Sequence, residues 1–250
     1  MTHLNAHIRR ATTVLSLLIS LSLACSCDDG AVEEYHKPTQ ESDTYTLRFC
    51  ANIKGLNSWS GQHSVALACF APESEYAETV KTLHDTDDDG DRDTILLTGV
   101  GTGTSTVEVA LLSPLRKRIA TIASFELPAD IAEGDTIAID GGDIEASMFA
   151  SINRFVFQDN NCSRCHSGSS PASGLSLSAD VAYANIVNVP SVKSPSTLRV
   201  KPGDADSSYL YRIITDENVG SHYAHTGLFT DAPQQAFIDI IKSWINAGAK

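Results

Sequence analysis

Tyr45-Thr46-Leu47-Arg48-Phe49-Cys50-Ala51-Asn52 alternates apolar with polar residues along its whole length. A period of two puts every second side chain on one face of an extended chain, so this stretch predicts a half-buried β-strand. Working outward, short apolar runs at 65–70, 94–97, 106–112, 119–125 and 136–139 are each bounded by Gly, Pro or Asp. Several short strands separated by turn signals predict an N-terminal all-β, sandwich-like domain over residues 44–143. Gly99-Val100-Gly101-Thr102-Gly103 lies among them, but no helix pattern comes after it, so it is a turn and not a phosphate-binding loop.

Three features of this segment bear on chemistry. Cys50 and Cys69 sit in predicted strands of a chain that also carries an export signal, which predicts a disulfide between them; two buried thiols are the alternative. Asp85, Asp87, Asp89, Asp91 and Asp93 crowd one turn around Gly90. Alternate carboxylates at that spacing suit calcium, although loop position 12 is Leu96 where an EF-hand carries a bidentate Glu. A solvated acidic hairpin tip is the alternative. His63 and His84 are isolated, and no nucleophile, base and orienting group share a motif, so no hydrolase is read here.

At Ile144 the period changes. Ile144, Met148, Ile152 and Phe155 recur at helical spacing, and Cys162-Ser163-Arg164-Cys165-His166 comes next. Cys-x-x-Cys-His is the attachment motif for haem c: two thiols bridge two vinyl groups on one porphyrin edge, and the adjacent imidazole meets the iron. A structural zinc site would need two more ligands at matching spacing, and no second Cys pair lies downstream. A thioredoxin-like pair has no use for the His. Phe237, Ile240, Ile241 and Trp244 form one apolar stripe of a last helix, with Pro233 in its first turn and Gly248 at its stop.

Residues 146–249 resemble a class I cytochrome c domain of the kind found on bacterial exported lipoproteins. The likeness rests on Phe155-Val156-Phe157, the haem motif, Gly174-Leu175-Ser176-Leu177, Arg199-Val200-Lys201-Pro202-Gly203-Asp204 and Trp244-Ile245-Asn246-Ala247-Gly248. It implies an all-α cytochrome c-like domain over 144–250, with its first and last helices in contact through Phe155 and Trp244. It implies a proximal ligand at His166 and a Met ligand before the last helix. Met1 and Met148 are the only methionines, and the expected place reads Gly220-Ser221-His222-Tyr223-Ala224-His225. Bis-His ligation is therefore expected, through His222, which holds the usual position of the Met, or His225. Tyr183, Arg199 and Lys201 are implied candidates for the pocket wall or the propionates.

Upstream, Arg9 and Arg10 precede a short apolar stretch ending Leu21-Ser22-Leu23-Ala24-Cys25-Ser26-Cys27. This is a signal-peptide pattern over 1–24. It is similar to the lipobox of bacterial lipoproteins, which implies lipidation at Cys25 or Cys27. Residues 25–43 are a polar tether.

Charged residues make up 20% and hydrophobic ones 42%, as in a globular chain, and no apolar run reaches the ~18–20 residues of a spanning helix. Thirty-one acids against 18 Lys and Arg leave a net charge of −13, which argues against a nucleic-acid partner. The expectation is a lipid-anchored electron carrier in the cell envelope, on the periplasmic or the cell-surface side. An electron carrier is expected rather than an enzyme, with a redox partner that presents a basic docking face. A haem-based sensor and a surface binding module with accessory haem are the alternatives.

Overall fold

The computed structural model describes residues 43–59, 62–84, 92–160, 162–216, 218–219, 223 and 225–250. The Tyr45–Asn52 alternation is realised in β1 (Thr44–Lys54): Tyr45, Leu47, Phe49 and Ala51 are buried, while Arg48 is exposed and Thr46 and Cys50 are partly so. β1 is the centre of a three-stranded sheet. β4 (Asp93–Gly101) pairs antiparallel on one side and β7 (Thr136–Glu145) parallel on the other. The parallel pair carries a bulge beside Ala51, where Gly141 lies flat against the Phe49 ring; a Cβ at this position would collide with that ring.

A second, wholly antiparallel sheet has the order β3 (Thr79–Thr82), β2 (Ser64–Phe70), β5 (Thr106–Leu112), β6 (Arg118–Phe125). Val65, Leu67 and Cys69 of β2 and Val107 and Val109 of β5 join the inward residues of β1 in one core. The intervening Ala66, Ala68 and Phe70, with Ala110 and Leu112, form a second apolar cluster on the opposite face, which is why β2 reads as a continuous apolar run.

β7 runs through Ile144 to Glu145, so the helical period begins later than the sequence suggests. Ser147 caps the first helix, accepting from the Ala150 N–H at 3.2 Å. That helix, α1 (Met148–Ile152), widens into π-helical turns over Asn153–Gln158. Then come α2 (Cys162–Cys165), α3 (Ala182–Ile186), α4 (Tyr209–Thr215) and α5 (Ala232–Asn246). Asp231 caps α5 by accepting from the Gln234 N–H at 2.8 Å, Pro233 lies in its first turn, and Gly248 takes a positive φ of 101° just past its end.

The expected all-α cytochrome c-like domain is not found. The described residues are mostly β, with seven strands in two sheets, and four of the five helices have seven residues or fewer. Between α2 and α4 the chain is rich in Ser, Pro and Gly and makes turns and isolated bridges, such as Pro190 with Leu198, instead of long helices. The first and last helices, α1 and α5, do meet, though not through a ring pair of Phe155 with Trp244. Trp244 stacks on Phe149 at 5.1 Å between ring centres, and Phe155 on Phe237 at 5.8 Å. The helical segment packs directly on the second sheet, with Leu111 and Ala120 part of its core. Trp59 ties the two together by donating from its indole N–H to the Ala146 carbonyl at 2.6 Å. Residues Asp43–Lys250 form one compact unit.

The expected Cys50–Cys69 disulfide is not formed, and both thiols are free. β1 turns Cys50 away from the core beside Arg48, whereas β2 of the other sheet turns Cys69 into it. Burial, with Glu78 nearby, pushes the Cys69 thiol up to about 12.

Candidate functional site

The widening at Asn153–Gln158 decides which side chains reach the site. A π turn adds a residue per turn and rotates the side chains beyond it, so Val156 and Phe157 come to line a cavity of about 570 Å³. Leu210 and Ile213 of α4 and Ile241 of α5 complete much of its apolar wall. This volume is in the range of a cofactor or small-ligand site, and so is its character: apolar, with a few converging polar groups.

Several of those polar groups come from the Cys-x-x-Cys-His motif. α2 is a single helical turn that places Cys162 and Cys165 on the cavity wall, and the His166 N–H closes the turn onto the Cys162 carbonyl at 3.0 Å. The Leu177 N–H bonds to the His166 carbonyl at 2.6 Å, pinning the backbone of this residue as well. Both thiols are free. Burial pushes the Cys162 thiol up to about 11, with Cys165 nearby adding to the effect. A thiol–disulfide catalyst lowers its attacking thiol toward neutrality, so this shift has the wrong sign for that chemistry.

His166 and His225 both line the cavity, their ring centres 6.3 Å apart and their planes 34° apart. Two imidazoles on opposite sides of one metal, each bonded at ~2 Å, stand about 6 Å apart between ring centres once both ring radii are counted. His225 carries the tautomer that such a bond needs. Its Nδ1–H donates to the Tyr223 carbonyl at 2.9 Å, which leaves the Nε2 lone pair for a ligand. Burial lowers the His225 pKa; the Tyr223 bond opposes this and His166 adds to it. Opposite, Nδ1 of His166 is buried and has no hydrogen-bond partner among the described residues. Two free thiols on one turn, with two imidazoles at metal-sharing distance on a haem-sized apolar cavity, fit a covalent haem. Cys162 and Cys165 would hold its edge, and His166 and His225 its iron.

Of the other expected residues, Arg199 lines the cavity and donates to the Asn185 carbonyl at 2.6 Å. Tyr183 and Lys201 do not line it: the Tyr183 hydroxyl donates to the Ala249 carbonyl, and Lys201 pairs with Asp204, both at 2.8 Å. His222, Cys25 and Cys27 lie outside the described residues, as do Asp85, Asp87, Asp89 and Asp91 of the acidic turn. Asp93, the remaining candidate for calcium, is exposed where β4 begins. Arg92 beside it pairs with Asp140 and holds that carboxyl below its ordinary range. Among the described residues no three His, Cys, Asp or Glu side chains group to hold a bare metal ion. A porphyrin asks less of the protein, because it supplies the equatorial nitrogens itself. Also among the described residues, no helix is long and apolar enough to cross a membrane. Two cavity cations escaped the sequence reading, Arg164 in the turn of α2 and Lys193 in a loop; an isolated charged residue gives no signal of a shared wall. No protein-family model, curated protein or solved structure matches the chain.

Proposed function

We propose that the chain is a monohaem c-type electron carrier of the cell envelope, lipid-anchored through Cys25 or Cys27. The observation that carries this reading is the pair His166 and His225, 6.3 Å apart beside the two thiols of one helical turn. When bound, haem supplies one-electron Fe(III)/Fe(II) cycling at a potential set by its axial ligands and its burial. The residues do the rest. Cys162 and Cys165 would hold the group covalently by its edge. His166 and His225, 6.3 Å apart, would supply the protein's two nitrogen ligands to it. Val156, Phe157 and Ile241, which line the cavity, would limit the access of water. A carrier needs this constancy, because ligands unchanged between oxidation states require little reorganisation.

The test is carbon monoxide added to the reduced, haem-loaded protein. The unchanged visible spectrum of a six-coordinate low-spin iron is expected. Rapid stoichiometric binding would show an open position and favour the haem-based sensor.

A further inference from the structure

The segment after His225 is held by three side-chain amides, none of which lines the cavity. His225 opens a single 3-10 turn, His225–Leu228, and Leu228, Phe229 and Thr230 carry the chain on to the cap of α5. Each of these three has one backbone group bonded to a different amide. The Leu228 carbonyl accepts from Nδ2 of Asn160 at 3.0 Å, the Phe229 carbonyl accepts from Nε2 of Gln235, and the Thr230 N–H donates to Oε1 of Gln234 at 3.1 Å. Nε2 of Gln234 in turn donates to Oδ1 of Asn160 at 2.9 Å. Asn160 and Gln234 therefore each use a donor and an acceptor in one directed chain of bonds from the Thr230 N–H to the Leu228 carbonyl. The direction fixes both amides. Turned over, Asn160 would set its oxygen against the Leu228 carbonyl and its NH₂ against that of Gln234.

Asn160 stands two residues before Cys162, and Gln234 is in the first turn of α5. The bonds thus tie the approach to the two-cysteine turn directly to the segment that follows His225. Leu228 and Phe229 line the main cavity, whereas Asn160 and Gln234 line a separate cleft of about 250 Å³ beside β6. Groups that orient a ligand from behind decide how firmly it stays on a metal. We propose that Asn160 and Gln234 are positioning residues for the distal ligand: they hold the His225 turn at its 6.3 Å spacing from His166 and so slow the release of His225 from the iron. The inference rests on the haem reading of the cavity and gives the pair no contact with the group itself.

Two nearly isosteric variants test it. Asn160→Asp still accepts from Gln234 but turns an oxygen, in place of a donor, toward the Leu228 carbonyl. Gln234→Glu still accepts from Thr230 but offers Asn160 no donor, so no orientation of Asn160 satisfies both neighbours. Replacing a hydrogen bond by such a repulsion shifts a local opening equilibrium about tenfold. The first readout needs no haem: amide hydrogen exchange of the full-length exported protein as purified, followed by mass spectrometry. The peptide containing Phe229 and Thr230 should exchange about tenfold faster in either variant, while peptides from β1 keep the parent's rate. The second is the binding of saturating cyanide to the oxidised, haem-loaded protein, which proceeds no faster than His225 leaves. Its rate should rise about fivefold or more, from a low-spin spectrum that matches the parent's. Exchange equal to the parent's at Phe229 and Thr230, or faster exchange with an unchanged cyanide rate, would overturn the proposal and leave the haem reading standing. Exported protein that carries no haem would overturn the haem reading, and with it the role given to the pair, whatever the exchange rates.

Discussion

Phe155→Ala tests whether the helical segment and the sandwich stand or fall together. The Phe155 ring is partly buried and packs against both main cores. It meets Phe237 at 5.8 Å, and the Arg154 guanidinium lies over it at 4.9 Å. Truncating a fully buried Phe costs ~3–5 kcal/mol, so a half-buried one loses about 2 kcal/mol. The aromatic pair adds ~0.5–1.5 kcal/mol and the exposed cation contact ~0.5 kcal/mol. The sum is about 3–4 kcal/mol, or a Tm lowered by about 6–16 °C in a unit of this size. Thermal and urea unfolding of the full chain, monitored by far-ultraviolet circular dichroism and by Trp fluorescence, should show one transition shifting in both signals. A loss below about 1 kcal/mol would refute the packing argument. So would two transitions of which the variant moves only one, because sandwich and helices would then unfold independently.

Other perturbations probe the site and its scaffold. His225→Ala should abolish the low-spin spectrum and admit carbon monoxide, whereas His222→Ala should leave both unchanged; the reverse pattern would move the distal ligand to His222. Glu108, nearly buried on β5, accepts from two nitrogens of Arg118 at 2.9 Å and from the Thr121 hydroxyl at 2.8 Å. Glu108→Ala should cost ~2–4 kcal/mol in urea unfolding because it strands Arg118, and Glu108→Gln, which can still accept, about half of that. The Asp204 carboxyl, held by Lys201 and by Ser207, is lowered from 3.8 to about 2. A depressed folded-state pKa stabilises fully above the unfolded value and loses that contribution as pH falls through the folded one. Stability attributable to Asp204 should therefore be constant above pH ~4 and disappear between pH ~4 and ~2, and Asp204→Asn should flatten the unfolding profile in that window.

Legibility in the sequence depends on the range of the forces involved. β1 was legible because burial on one face writes a period of two into adjacent residues. β3 was not, since Thr79–Thr82 is a four-residue edge strand with no buried side chain and so no alternation to detect. The parallel pairing of β1 with β7 was hidden for another reason: it joins segments some ninety residues apart, and no local pattern records a non-local partner. Ile144 was misassigned to a helix because it is apolar and correctly spaced from Met148, but its place is in the core beside β1. The long helices implied for 144–250 failed where Ser167–Pro171 and Ser194–Ser196 favour turns.

The site divides the same way. Cys162, Cys165 and His166 are near neighbours along the chain, so spacing alone singled them out, and all three line the cavity. Spacing could not choose between His222 and His225; His225 lies 6.3 Å from His166 between ring centres, and His222 is outside the described residues. Arg164 and Lys193 became part of one surface only once the chain folded.

Mass spectrometry of protein matured in a host with haem-attachment machinery reaches the central claim most directly. The expected result is one haem per chain, covalently retained after denaturation and mapped to a peptide containing Cys162 and Cys165. Exported protein of unmodified mass at that peptide, or with the two sulfurs joined to each other, would contradict it.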